Sequence, residues 1–380
     1  MSDENISFRE IENSKENMSL SSMGTITESK DNPLISVIID GFMRKEFIAE
    51  AVKSVHDQEI PKSHFEIIVL RAFDSPDVDR TLLENGAIIL NSANMTIGQA
   101  IAEAIEISKG EIICFLDDDD LFLPNKLSKI EEIFKGDKEL CYYHNGQTFC
   151  NSKSEPVLGF KFKKENPGYL KSDNSNFLLL NKTLKKIGYY IEAIWFNLSS
   201  ITVRKKIFSG RMNIVRSITG HTDDLMFYLA FSYPDKISII NSDEHLTVYR
   251  VHNSTTNIVK QVDDATMINN RIKQYQDFTC SSFVFMQMMR GTTCESYVSA
   301  RYAYDLAFFY NTKKEGINMI KQTIRLALKE NYKIVEFNFA VRIRVYLSLF
   351  VLAFFYIFSK RFSILKHLRS AFPNVESFRR

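Results

Sequence analysis

The chain has 380 residues, 45% of them hydrophobic and 25% charged, a globular composition long enough for one large domain or two ordinary ones. A formal charge of +2 argues against a polybasic nucleic-acid binder. Five cysteines without a CxxC pair argue against structural zinc or a disulfide framework and suit a reducing cytoplasm.

Residues 1–32 are rich in Ser, Glu, Asn and Lys, lack the apolar run of a signal peptide, and read as a disordered tail. Ile35–Ile39 is apolar and β-branched, the pattern of a buried strand. Phe47, Ile48, Ala51, Val52 and Val55 then recur at helical spacing. Glu66–Leu70 predicts a second strand, Asp74–Asp77 a loop, and Ala87–Leu90 a short third strand. Ile97, Ile101, Ala104 and Ile105 form another helical face, stopped by Gly110. A fourth strand, Glu111–Leu116, delivers four consecutive aspartates, Asp117 to Asp120, and a helix opens near Pro124. Strands alternating with helices predict an α/β fold whose mostly parallel sheet is flanked by helices.

Beyond residue 150 the pattern is less regular, with lysines at 161, 163 and 164 and an apolar stretch over 191–203. A helix begins near Asp223 and ends before Pro234. Ile237–Ile240 and Leu246–Tyr249 read as strands, and residues 261–380 as a helical C-terminal region. Residues 345–359 carry no charge. Fifteen residues fall short of the roughly 20 that a spanning helix needs. From Lys333 to Arg380 nine Lys/Arg face two Glu, a net +7. An apolar, aromatic helix with basic flanks, within about 335–370, suits an anionic membrane surface; a core helix is the alternative.

Four adjacent carboxylates repel one another unless a cation sits against them. They stand at the carboxyl end of a strand, where open α/β sheets bind ligands. Oxygen donors suit a hard divalent cation, Mg or Mn.

Five segments in order make residues 33–260 resemble the family 2 glycosyltransferases. They are Ile35–Ile39 with Glu50–Val55 and Gln58; Glu66–Val69; Gly98–Ala104 with Lys109-Gly110; Phe115–Asp120 with Pro124, Lys126 and Leu127; and Thr222-Asp223-Asp224 with Tyr249-Arg250-Val251-His252. The resemblance implies the GT-A (Rossmann-like) fold and inverting transfer from a nucleotide-sugar donor. It implies that Asp117 and Asp119 form the DxD pair touching metal and ribose, with Asp118 sharing that work and Asp120 capping the next helix. It further implies His252 as a metal or diphosphate ligand. Arg250 is either a phosphate partner or a structural ion pair. Asp224 is the general base implied, with Asp223 the runner-up. Asp40, in place of the family's usual Pro-Thr, is read as a contact to base or ribose. Arg71 stands where the family carries the acid that holds the nucleobase, and Asp74 or Asp77 is the substitute from the neighbouring loop. The partners implied are a nucleotide-diphosphate sugar and a glycan or lipid-linked acceptor, met by a peripheral enzyme on the cytoplasmic membrane face. A nucleotidyltransferase of related architecture and a non-catalytic membrane scaffold are the competing readings.

Overall fold

The computed structural model describes residues 33–41, 45–157, 168–172 and 196–252, with scattered positions between 277 and 298. The N-terminal tail, lysines 161, 163 and 164, and the 345–359 run lie outside the described residues, as does most of the C-terminal region. Among the described residues no helix is long and apolar enough to cross a membrane.

Among the described residues nine strands form one mixed sheet: β1 (Ile35–Gly41), β2 (Phe65–Arg71), β3 (Ala87–Asn91), β4 (Ile112–Asp117), β5 (Leu121–Phe122), β6 (Leu140–Asn151), β7 (Gly168–Ser172), β8 (Ile201–Arg204) and β9 (Ile237–Val251). Their order is β3-β2-β1-β4-β8-β6-β9-β5, with β7 paired to β9. β3, β2, β1 and β4 run parallel, joined through α1 (Ile48–His56), α2 (Pro76–Glu84) and α3 (Ile97–Ile107). β8 lies antiparallel between β4 and β6, and β6 runs parallel to β9.

The central strands are apolar over most of their length, Ser36 and Glu66 and the carboxyl-end residues apart, because helices cover both faces. Val37 and Ile39 point to one side with Ile48, Val52 and Val55 of α1; Ile38 points to the other with Ile101 and Ile105 of α3. Full burial of such an isoleucine is worth about 1.5–3 kcal/mol. α3 carries the clearest local signal, a capping box in which Thr96 Oγ1 accepts from Gln99 N and the Gln99 side chain accepts from Thr96 N. Two glycines permit close approaches. A Cβ on Gly98 would lie 2.3 Å from the Val215 carbonyl oxygen, where α3 meets α5 (Met212–Arg216). A Cβ on Gly110 would lie 2.6 Å from Ser36 N on β1.

Three elements differ from the sequence reading. α2 starts inside the predicted loop, taking Pro76 and Asp77 into its first turn; it has one buried residue, Leu82, so its apolar periodicity is absent and Pro76 at its start is the usable mark. The two predicted strands at 237–249 are one fifteen-residue strand, β9. β6 is twelve residues long and rich in buried polar side chains, a composition without alternation. α6 (Thr222–Phe231) occupies the predicted place, and its hydrophobic residues are buried all round.

Candidate active site

The parallel register sets the site's floor. Asp40, the last residue but one of β1, is level with Asp117 on β4, and Gly41, which ends β1, is level with Arg71 at the end of β2. Asp40, Arg71 and Asp117 therefore occupy the carboxyl edges of three adjacent strands.

Beyond Asp117 the chain turns and returns as β5, which pairs with β9 through Leu121–Val248 and Phe122–Thr247. That pairing brings the Tyr249–His252 segment against the aspartates. His252 Nε2 lies 2.8 Å from Asp119 Oδ2, and the His252 ring packs on Phe47 with centroids 5.1 Å apart. Asp117, Asp119 and Asp120 each offer a carboxylate oxygen within 4.8 Å of the others. Burial, then the charges of Asp120, Asp119, Asp40 and Asp118, pushes the Asp117 carboxyl well above the usual carboxylate range. Asp118 is itself buried. All-oxygen donors packed this closely fit a hard divalent cation, with His252 as an added nitrogen donor.

Asp120 is not the cap of the following helix. α4 (Lys126–Gly136) starts beyond β5, and the Asp120 carboxylate turns inward. It accepts from Arg250 N at 2.9 Å, Ser199 Oγ at 2.7 Å and Asn197 Nδ2 at 2.5 Å. Burial and the Asp119 charge raise it to about 7 despite those donors. The Arg250 guanidinium is buried and directed to protein groups: Nε donates to the Asp119 carbonyl at 2.7 Å, Nη1 to Ser154 Oγ at 2.8 Å and Nη2 to Glu50 Oε2 at 2.9 Å. It also stacks over Phe47 at 4.4 Å. This is an ion pair that clamps the aspartate turn to α1.

A second acidic group opens α6. His221, in the left-handed conformation (φ 56°), turns the chain so that Asp223 and Asp224 start the helix. His221 Nδ1 is 3.7 Å from Asp224 Oδ2, and the ring stacks on Phe278. Burial, then the Asp223 and Asp224 charges, hold the Tyr142 phenol on β6 well above its usual range. Asp224 is 3% exposed.

Residues 36–198 match the sequence profile of Glycosyl transferase family 2. The chain carries a family 2 glycosyltransferase domain. An uncharacterized glycosyltransferase of Haemophilus influenzae is 24% identical over 246 residues, covering 60% of this chain and 75% of that protein. One of Rickettsia typhi is 28% identical over 298 residues, 75% of this chain and 81% of that one. In solved structures, S. aureus TarS 1–349 overlays with a TM-score of 0.50 at 14% identity, covering 77% of this chain and 80% of that one, which shows the fold.

In this glycosyltransferase Arg71 is bound to its own loop. It donates to the Phe73 carbonyl and pairs with Asp74 at 3.0 Å and Asp79 at 3.2 Å. Asp74 and Asp77 are almost fully exposed, the first held by Arg71 and the second beside Arg80.

Sequence reasoning missed the polar layer behind the aspartates. Lys126 is wholly buried; its Nζ donates to the Ser199 carbonyl at 2.6 Å and Thr247 Oγ1 at 2.9 Å, over the Phe122 ring. Burial pulls its ammonium down to about 7, against the charges of Cys114 and Asp120. Gln58 spans from α1, donating to the Leu123 carbonyl at 2.8 Å and accepting from Leu127 N at 2.8 Å. Ser199 Oγ accepts from Asp117 N at 2.9 Å. The available signal was the polar run Asn197-Leu-Ser-Ser200 directly after an apolar stretch.

Proposed function

We propose that this enzyme performs inverting, metal-dependent transfer of a sugar from a nucleotide-diphosphate donor to the hydroxyl of a glycan or lipid-linked acceptor. The observation that carries the reading is the group formed by Asp117, Asp119 and His252 at the carboxyl edge of the sheet. These residues would hold the cation. A divalent cation bound there offsets the negative charge that builds on the departing diphosphate. Asp40 and Asp118 line the nucleotide side, and Arg71 presents Asp74 and Asp79 at the base end.

Asp224 receives the proton of the acceptor hydroxyl as its oxygen attacks the anomeric carbon from the face opposite the diphosphate. The carbon–oxygen bond to phosphate breaks, the diphosphate leaves with the electron pair, and the configuration inverts. Asp223 holds the helix start, its Oδ1 accepting from Asp224 N at 3.0 Å. A relative from Bacillus subtilis named as a putative teichuronic acid biosynthesis glycosyltransferase, 28% identical over 144 residues, agrees with a glycan acceptor. The basic, apolar 335–370 segment supports peripheral attachment to the cytoplasmic membrane face.

Thermal melting with UDP, GDP, ADP and CDP, each with and without Mn²⁺, tests the donor half. One nucleotide should raise the melting temperature, and only with Mn²⁺ present. A chain that no nucleotide stabilises under either condition contradicts the proposal.

A further inference from the structure

The aspartate run is held by a side chain outside it. Asn197 is buried, and its Nδ2 lies 2.5 Å from Asp120 Oδ2 and 3.2 Å from Asp117 Oδ2. A carboxamide nitrogen carries two hydrogens and no acceptor, so both can be spent on two carboxylates. The other end of the amide is equally determined. Asn197 Oδ1 lies 2.9 Å from Gln147 Nε2, whose two hydrogens are shared with the Phe196 carbonyl at 3.0 Å and Ser200 Oγ at 2.7 Å, and Ser200 Oγ also donates to Asn197 Oδ1 at 3.4 Å. Gln147 sits on β6, and Asn197 lies just before β8, so the bridge joins β4, β8 and β6 behind the turn.

We infer that Asn197 is a positioning residue for the metal site: its amide, aimed by Gln147, draws the Asp117 and Asp120 carboxylates together and fixes Asp117 for the cation. The physical reason is electrostatic. Asp117 and Asp120 offer carboxylate oxygens within 4.8 Å of one another, a pair that repels when both are ionised, and a donor shared between them offsets that repulsion. Ser199 Oγ supports Asp120, but the two hydrogens of Asn197 are the contact that spans the pair. Partners of this kind orient metal ligands, and their loss costs roughly 10–100-fold in metal affinity. The position of Gln147 makes the idea testable at a distance. In Gln147→Glu, a same-sized change, an acceptor replaces the donor that faces Asn197 Oδ1. The Asn197 amide then turns over to donate to the new carboxylate and presents its oxygen to Asp117 and Asp120, which repels them.

This inference rests on the proposed metal-dependent transfer, and one experiment separates the two. Mn²⁺ is titrated calorimetrically into the full-length protein with saturating UDP or GDP, for the native chain, Asn197→Leu, Gln147→Glu and the double variant, with metal-free melting temperatures recorded alongside. Native protein should bind Mn²⁺; Asn197→Leu and Gln147→Glu should each weaken it about tenfold or more, and the double variant no further than Asn197→Leu alone. Native protein that binds no Mn²⁺ overturns the metal reading and this inference with it. Native binding with both single variants within about twofold overturns the positioning role alone, whatever their melting temperatures. Should Asn197→Leu not fold, Asn197→Ser and Gln147→Glu carry the same comparison.

Discussion

Neutralising Asp119 without changing its shape should make the metal-free protein more stable while removing its response to metal. Asp119 offers an oxygen within 4.8 Å of those of Asp117 and Asp120. Two like charges at that spacing repel by about 3 kcal/mol at an effective dielectric of about 20. The full sum is not recovered, because burial and the neighbouring charges already hold Asp120 at about 7 and Asp117 well above its ordinary value. A net gain of about 1–3 kcal/mol at pH 8 is expected for Asp119→Asn, or roughly 2–8 °C in melting temperature. The pH dependence fixes the sign. A carboxyl raised from 3.8 to about 7 binds more protons folded than unfolded, so its stabilising share is complete below pH 3.8 and lost as pH rises through 7. Native stability in EDTA should therefore fall across that window, and the gap to Asp119→Asn should open with it and close near pH 4. Mn²⁺ should raise the native melting temperature at pH 8 and leave the variant unmoved. A variant less stable than native at pH 8 in EDTA, or one that gains as much from Mn²⁺ as native does, refutes the reasoning.

Asp224→Asn should leave donor binding intact and lower turnover by roughly 10²-fold or more; if Asp223→Asn shows this instead, the base lies one residue earlier. Gly98→Ala should destabilise by about 1–3 kcal/mol in urea unfolding, because the new methyl would meet the Val215 and Ile218 carbonyl oxygens at 2.3 and 2.4 Å. Removal of residues after Asn331 should abolish co-sedimentation with anionic vesicles, whereas the full chain should bind and weaken as salt rises. If neither form sediments at low salt, the 345–359 run has no membrane role.

What the sequence made legible was local. Ile35–Ile39, Glu66–Leu70 and Glu111–Leu116 are read correctly because strands covered on both faces are continuously apolar, and the structure places them as β1, β2 and β4. α3 is legible from its helical spacing alone, and its Thr96–Gln99 box is seen only in the structure. The aspartate run and His252 announce a site by residue type, and β5 pairing with β9 brings Asp119 and His252 to 2.8 Å. What stayed hidden depends on distant partners. Asp120 next to a helix start reads as a cap, yet its donors come from residues 197, 199 and 250. Lys126 enters the sequence reading only as part of the aspartate segment, and its burial over Phe122 is not recorded there. Gln147 and Asn197 meet 50 residues apart, and no periodicity records such a contact.

The central claim is that the carboxylates at the end of β4 serve nucleotide-sugar chemistry. The most direct measurement is nucleoside diphosphate release from a panel of UDP-, GDP-, ADP- and CDP-sugars, for native protein and Asp119→Ala, in Mn²⁺ and in EDTA. Release from one donor type by native protein in Mn²⁺, absent in EDTA and absent in Asp119→Ala, is the predicted result. Equal release by native protein in EDTA, or by Asp119→Ala in Mn²⁺, would contradict the account.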